Sequence, residues 1–275
     1  MSSTKGPDPE PGEADPSAAA RAQLAIERLL SRSGLVASAA LAIAVALAWA
    51  WLTRSEMAAM DGHAMAMPAA PWSAGYLAPA FAMWAVMMVA MMLPSAAPMI
   101  LLHARIGRVP TAARRLAHTL LFSLAYLVVW TGFSAAAALA QALLIDLGLV
   151  RASTLALGDR TVAAAVLVGA GSYQLTSAKA ACLDQCRSPI QFVLRYWTPG
   201  VGGALRLGLA HGVFCVGCCW GLMILLFVAG VMNLAWVALL AALVLFEKVA
   251  PTRWRASLLI AGLLFAGAAA LLAAG

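Results

Sequence analysis

The sequence predicts an all-α, polytopic transmembrane helical bundle of about seven spans. Hydrophobic residues make up 64% of the 275-residue chain and charged residues only 11%, whereas roughly a quarter of a typical soluble chain is charged. Several apolar runs reach the ~20 residues that a helix needs to cross a bilayer. Their length, and the absence of apolar/polar alternation, favour helices over barrel strands. The composition therefore excludes a soluble enzyme, a nucleic-acid-binding domain and a disulfide-stapled secreted domain.

Seven apolar segments follow a polar N-terminal tail. The first part of the chain is rich in Pro, Gly, Ser, Ala and acidic residues, so we expect a disordered cytoplasmic tail over residues 1–33 and a membrane domain over residues 34–275. The fifth and sixth segments are nearly continuous, and Gly230 and Asn233 predict the turn between them. The predicted spans are Leu35–Leu52, Tyr76–Leu102, Leu116–Ile145, Thr161–Ala181, Leu205–Ala229, Met232–Phe246 and Ala256–Ala274.

The distribution of basic residues predicts the orientation of these spans. Of the 18 Lys and Arg residues, all except Arg54, Arg151 and Arg160 fall in the N-terminal tail or in the second, fourth and sixth connections. Because basic loops stay in the cytoplasm, the N-terminus is predicted inside and the C-terminus outside. The net charge of +7 is then a topology signal, so the predicted partner is the lipid bilayer and no nucleic acid is required. The aromatic and charged stretch at residues 179–202 is predicted to lie along the inner membrane surface.

All five cysteines lie in one 38-residue window. Three of them, with one histidine, recur at helical spacing in the fifth span and share an arc of about 100°. The other two, four residues apart at the end of the fourth span, are predicted to form a cytoplasmic-side relay or docking site. Thiolates with imidazole suit Cu(I) or Zn(II), and polar groups at this depth are functional by default. The candidate metal ligands are His211, Cys215, Cys218, Cys219, Cys182 and Cys186.

The charge of the ligands constrains which ion they can hold. Two thiolates with neutral imidazole balance Zn(II), and one thiolate with neutral donors balances Cu(I). A site with all three thiolates of the fifth span requires compensation, for instance from Lys or Arg. Two other interpretations stay open: the cysteines pack as small apolar side chains, or Cys215 and Cys218 form a redox pair. No catalytic residue is predicted.

Methionines form a second set of soft candidate ligands. A stripe on the second span offers thioethers, which bind Cu(I) without deprotonation. The first outer loop adds four methionines and one histidine within eleven residues, a composition that suits copper capture in an oxidising compartment. The alternatives are helix packing for the stripe and membrane-surface binding for the loop. These auxiliary candidates are Met83, Met87, Met91, Met57, Met60, His63, Met65 and Met67.

Two further patterns concern the packing of the fifth and sixth spans. Small residues let membrane helices approach closely, so close contacts are predicted at four glycines of the fifth span. Glu247 and Lys248, at the end of the sixth span, are predicted to form an interfacial ion pair, with a proton-relay role as the alternative. The four glycines are Gly208, Gly212, Gly217 and Gly221.

Three stretches of the sequence resemble a bacterial family of predicted metal-binding integral membrane proteins, domain of unknown function 2182. They are the methionine motif at Met83–Pro94, the paired-cysteine motif at Tyr173–Pro189, and the His/Cys motif at His211–Trp220 with the residues that follow it. Together they span roughly residues 77–251. The resemblance implies metal association in the bacterial cytoplasmic (inner) membrane and supplies no established activity.

These observations predict a metal-binding membrane protein that handles, delivers or transports copper, favoured over zinc, through an intramembrane His/Cys site. A metallochaperone or a metalloenzyme is the expected protein partner. One alternative is a membrane thiol–disulfide or quinone-linked oxidoreductase that uses Cys215 and Cys218 with Cys182 and Cys186. Another is a non-catalytic assembly partner of a metalloenzyme. The enzymatic interpretation is the less favoured, because both cysteine pairs lie toward the reducing cytoplasm.

Overall fold

Helices account for the whole architecture. The computed structural model describes residues 16–60, 70–106, 111–151, 154–250 and 253–274, which form helices and no strand. The predicted all-α class is therefore confirmed for the described residues. The helices are α1 (Pro16–Met60), α2 (Ala74–Ile106), α3 (Ala112–Asp146), α4 (Arg160–Gln174), α5 (Ser177–Arg187), α6 (Pro189–Tyr196), α7 (Gly200–Met223), α8 (Leu226–Ala229), α9 (Leu234–Val249) and α10 (Arg253–Ala273).

Within the described residues, five helical stretches are long and apolar enough to cross a membrane, as expected of a membrane protein. They are Gly34–Met57, Ala74–Arg105, Ala113–Asp146, Gly200–Ala229 and Arg255–Ala273, which correspond to the first, second, third, fifth and seventh predicted spans. The fourth and sixth correspond to α4 and α9, with 15 and 16 residues. At 1.5 Å per residue these helices are ~22–24 Å long, against a hydrocarbon core of ~30 Å. Seven spans and the orientation of the termini stay predictions.

The helices alternate in direction as seven crossings would require. Gly34 of α1 lies beside the side chain of Arg105 at the end of α2, so these two helices are antiparallel. The guanidinium of Arg160, at the start of α4, donates to the carbonyl of Ala274 just past α10 at 2.7 Å. Helices α4 and α10 are therefore antiparallel too. Successive glycines of α7 meet successive turns of α3, so α3 and α7 run parallel.

The four glycines of α7 make the close helix contacts that the sequence predicts. A Cβ atom added at any of them would lie 3.0 Å or less from a neighbouring helix. At Gly208 it would lie 2.3 Å from the carbonyl oxygen of Phe122 on α3, and at Gly217 it would lie 2.7 Å from the Sγ of Cys182 on α5. Nine residues at 100° each place these two glycines on opposite faces, about 180° apart. Helix α7 is therefore held between α3 and α5.

The chain after α4 turns into the helix bundle. Thr176 caps α5 by accepting a hydrogen bond from the backbone N–H of Lys179 at 3.3 Å. The side chain of Lys179 is 1% exposed and forms an ion pair with Glu247 of α9. Helix α5 packs against α7, and Phe192 of α6 is buried. Lys179 thus anchors α5 to the helix bundle, and the position of this stretch along the inner membrane surface stays a prediction.

The predicted turn between the fifth and sixth spans is confirmed. Helix α8 ends at Ala229, and Gly230 has a φ of 97°, a conformation that only glycine adopts readily. Asn233 does not adopt left-handed geometry; its side chain caps α9 by accepting a hydrogen bond from the backbone N–H of Trp236 at 3.1 Å. The turn directs α9 back alongside α7.

Candidate metal centre

Sulfur atoms from three helices meet beside the middle of α7. The Sγ of Cys218 lies 3.8 Å from the Sγ of Cys186 on α5, and the Sγ of Cys219 lies 3.9 Å from the Sδ of Met92 on α2. Cys215 lies one helical turn before Cys218 and Cys219 on α7, and its backbone carbonyl contacts both of their thiols. All four cysteines are free thiols, and the three on α7 are at most 1% exposed. We call these five residues the sulfur cluster.

The helical spacing of α7 brings its three thiols together. The Sγ atoms of Cys218 and Cys219 donate to the backbone carbonyl of Cys215 at 3.1 and 2.9 Å. Residues three and four apart on a helix are neighbours, so both side chains lean back over the preceding turn. The predicted shared face of these cysteines is therefore present in the structure.

Polar groups from two other helices contact the thiol of Cys215, and both are tied to α2. The hydroxyl of Tyr126 on α3 lies 3.2 Å from its Sγ and donates to the carbonyl of Met92 at 3.1 Å. The ammonium of Lys248 on α9 lies 3.1 Å from the same Sγ and donates to the hydroxyl of Ser95 at 2.9 Å. The sequence indicated that a lysine or arginine could compensate the thiolates, but it did not identify Lys248. Nothing in the sequence singled out Tyr126 or Ser95.

The predicted ion pair between Glu247 and Lys248 is wrong. Adjacent helical residues point about 100° apart and do not face each other. Glu247 instead pairs with Lys179 and accepts a hydrogen bond from the hydroxyl of Ser257 at 2.7 Å. Arg187, at the end of α5, donates to the carbonyl of Glu247 at 3.1 Å. This network joins α5 to α9 and α10, and Lys248 faces the sulfur cluster.

His211 lies one helical turn from Cys215, among aromatic rings. Its ring centroid is 5.5 Å from that of Phe192, 5.6 Å from that of Tyr126 and 6.1 Å from that of Phe122. The residue is 2% exposed, and both of its ring nitrogens are without a hydrogen-bond partner. A buried polar atom without a partner is uncommon and calls for an explanation, such as an ion.

Cys182 and Cys186, the predicted cytoplasmic-side relay or docking pair, have different surroundings in the structure, and their role as such a site stays a prediction. Cys186 is part of the sulfur cluster through its contact with Cys218. Cys182 lies one helical turn before Cys186 on α5. Its side chain is partly exposed and lies against Gly217 of α7. The two cysteine motifs of the sequence therefore form one continuous group.

The predicted methionine stripe lies next to the sulfur cluster. Met87 and Met91 are buried in the helix core, and Met83 is partly buried against it. The contact with Cys219 is made by Met92, which follows Met91 in the chain. The sequence therefore identified the helix that brings a thioether to the sulfur cluster, but Met92 was not among its candidate ligands.

The outer-loop candidates fall mostly outside the described residues. Met57 is 55% exposed near the end of α1. The side chain of Met60, and all of His63, Met65 and Met67, lie outside the described part of the chain. Their role in metal capture stays a prediction.

The sulfur pairs lie at van der Waals contact, a spacing that two ligands of one ion also have. Two sulfurs each ~2.3 Å from an ion lie ~3.8 Å apart at a tetrahedral angle and ~4.0 Å apart at a trigonal one. The pair Cys186–Cys218 is separated by 3.8 Å and the pair Cys219–Met92 by 3.9 Å. Among the described residues, no group of three or more His, Cys, Asp or Glu side chains is arranged to hold a metal ion.

The long apolar helices are those of a membrane protein, and the buried cysteines and methionines place soft metal ligands in its core. Residues 81–272 match the model of the PpoB2 family of copper chaperones, and the chain belongs to this family. The matched region contains all five cysteines and extends from α2 into α10. The match supports a copper-related family, in line with the metal association that the motifs implied, but not the name domain of unknown function 2182. No curated protein and no solved structure matches the chain.

Proposed function

We propose that this protein binds Cu(I) at the sulfur cluster, inside a bacterial cytoplasmic membrane, and passes it to a protein acceptor. The observation that carries this proposal is the 3.8 Å separation between the Sγ atoms of Cys186 and Cys218. These thiols belong to different helices, so their spacing is not a result of helical periodicity. Membership of a copper chaperone family supports copper as the ion.

The chemistry of the donors favours copper over zinc. Thiolates and thioethers are soft ligands that select Cu(I), and a thioether needs no deprotonation. Met92 offers such a thioether 3.9 Å from the thiol of Cys219. His211 is a further candidate ligand, because its ring nitrogens have no partner one turn from Cys215.

The positions of the other sulfurs suit transfer by ligand exchange. Met87 and Met91 lie on the same helix as Met92, buried in the core. Cys182 lies on the other side of the sulfur cluster and is partly exposed. In the proposed path, Cu(I) moves between neighbouring sulfurs and leaves through Cys182 to a metallochaperone or a metalloenzyme, with the outer Met/His loop as a capture site. The protein acts in this path without catalysing a reaction.

Copper stoichiometry in purified variants tests the proposal. The protein is purified in lipid nanodiscs under reducing, anaerobic conditions, loaded with Cu(I), and its copper content is measured with a competing chelator. We expect about one Cu(I) per wild-type chain, and a loss of binding in both Cys218→Ser and Cys186→Ser. Cys182→Ser is the matched control on α5 and should keep its copper while slowing transfer to an acceptor.

The same samples distinguish a thiol–disulfide function. If the proximity of Cys186 and Cys218 serves redox chemistry, mass spectrometry of the protein isolated from membranes should find them joined and copper absent. A wild type without copper, or a Cys186→Ser variant that binds it as the wild type does, would overturn the proposed site.

A further inference from the structure

Lys248 places a positive charge inside the sulfur cluster. It lies near the end of α9 and is 8% exposed, and its ammonium lies 3.1 Å from the Sγ of Cys215 and 2.9 Å from the hydroxyl of Ser95. Ser95 in turn donates to the backbone carbonyl of Met92 at 2.8 Å. Two helices therefore hold the ammonium in place.

A buried ammonium in this position needs an explanation. Burial of a charge costs several kcal/mol unless a partner compensates it. The neighbouring carboxylate of Glu247 is occupied by Lys179 and Ser257. A thiolate of the sulfur cluster is the group next to Lys248 that can supply the opposite charge.

The charge of the bound ion decides whether the whole site is neutral. Two thiolates around Cu(I), here those of Cys215 and Cys218 with the other sulfurs as neutral donors, carry one net negative charge, which the ammonium of Lys248 cancels. Two thiolates around Zn(II) are already neutral, so the same ammonium leaves one net positive charge. A net charge is costly in a low-dielectric interior, and the neutral combination is the more stable.

We propose that Lys248 is a specificity-determining residue, which makes the sulfur cluster select a monovalent soft ion over a divalent one. This inference rests on the proposed copper function. The ammonium does not touch the metal; it allows a second thiolate to join Cu(I) without leaving a charge. Removing the ammonium should shift the preference of the sulfur cluster from Cu(I) toward Zn(II).

Paired affinities for Cu(I) and Zn(II) test this role. The variants Lys248→Met and Lys248→Arg are measured in nanodiscs by competition with chelators of known affinity, under reducing conditions. One uncompensated charge within a membrane-spanning segment corresponds to about a 100-fold change in affinity. We expect Lys248→Met to lose about that factor for Cu(I) and to keep or improve its Zn(II) affinity. Lys248→Arg, which keeps the charge, should resemble the wild type.

A second variant keeps the test valid if Lys248→Met fails to insert. The double variant Lys248→Met with Cys215→Ser removes the ammonium together with its thiol partner, so no charge is left unpaired. It should bind Cu(I) more tightly than Lys248→Met, or, if that variant does not insert, retain Cu(I) binding through Cys218. Equal losses for both ions in Lys248→Met, or an unchanged ratio, would overturn the specificity role. A wild type that binds no Cu(I) would instead overturn the proposed function.

Discussion

Replacing Glu247 with glutamine is expected to destabilise the protein by about 3–5 kcal/mol, the usual cost of leaving one partner of a buried ion pair uncompensated. Lys179 and Glu247 are 1% and 2% exposed, so water cannot solvate the ammonium that remains. Glutamine has the shape of glutamate and can still accept the hydrogen bond from Ser257. The loss therefore reports the charge of Glu247 more than its packing.

A second substitution should recover most of this loss. In the double variant Glu247→Gln with Lys179→Met, both charges are gone, and replacing both members of a buried pair is often neutral. We expect a free energy of unfolding within about 1 kcal/mol of the wild type. Lys248→Met is the matched control, because it removes the adjacent lysine, which faces Cys215. Combined with Glu247→Gln, it should recover nothing.

The free energy of unfolding can be measured in mixed micelles by denaturant titration, followed by tryptophan fluorescence. Recovery by Lys248→Met instead of Lys179→Met would show that the pairing described here is incorrect. A loss below about 1 kcal/mol for Glu247→Gln alone, the range of an exposed ion pair, would refute the burial argument.

Three further predictions concern topology, packing and the outer loop. Reporter fusions in the loops before and after the α4–α6 segment should report opposite sides of the membrane, and so should fusions flanking α9; the same side at either place would remove that crossing. Gly208→Ala should lower the free energy of unfolding by about 1–3 kcal/mol, because its Cβ would overlap the carbonyl of Phe122. Gly202→Ala, on the same helix with nothing within 4 Å, is the control, and equal effects would contradict the contact. Replacing the five Met and His candidates of the outer loop together should reduce cellular copper accumulation without reducing the amount of inserted protein; unchanged accumulation would exclude the loop.

The sequence was most informative about features that lie within a single helix. The shared face of Cys215, Cys218 and Cys219 follows from the helical period alone, and the close contacts of the α7 glycines follow from their size. Contacts between helices were less predictable, because they depend on how each helix is rotated. The sequence paired Lys248 with Glu247 and could not show which helix its ammonium faces.

The pairing of Cys186 with Cys218 shows the same limit. The sequence placed Cys186 at the cytoplasmic edge, since Lys179 and Arg187 gave its segment the composition of a surface loop. In the structure Lys179 is neutralised by Glu247, 68 residues away in the chain, and α5 lies against α7. The count of basic residues on the inner side included Lys179 and Lys248, both of which are buried. Without them the bias toward that side persists.

Gly217 determines how far α5 stands from α7. A methyl group there would lie 2.7 Å from the Sγ of Cys182, about 1 Å inside ordinary van der Waals contact. Unless that thiol rotates away, α5 must move outward by the same amount and carry Cys186 with it. The separation of 3.8 Å between Cys186 and Cys218 would then approach ~4.8 Å, beyond the ~4.6 Å that two sulfurs can span across one ion. The absence of a side chain at Gly217 thus lets α5 lie close enough to α7 for Cys186 and Cys218 to be in contact, although Gly217 touches neither thiol.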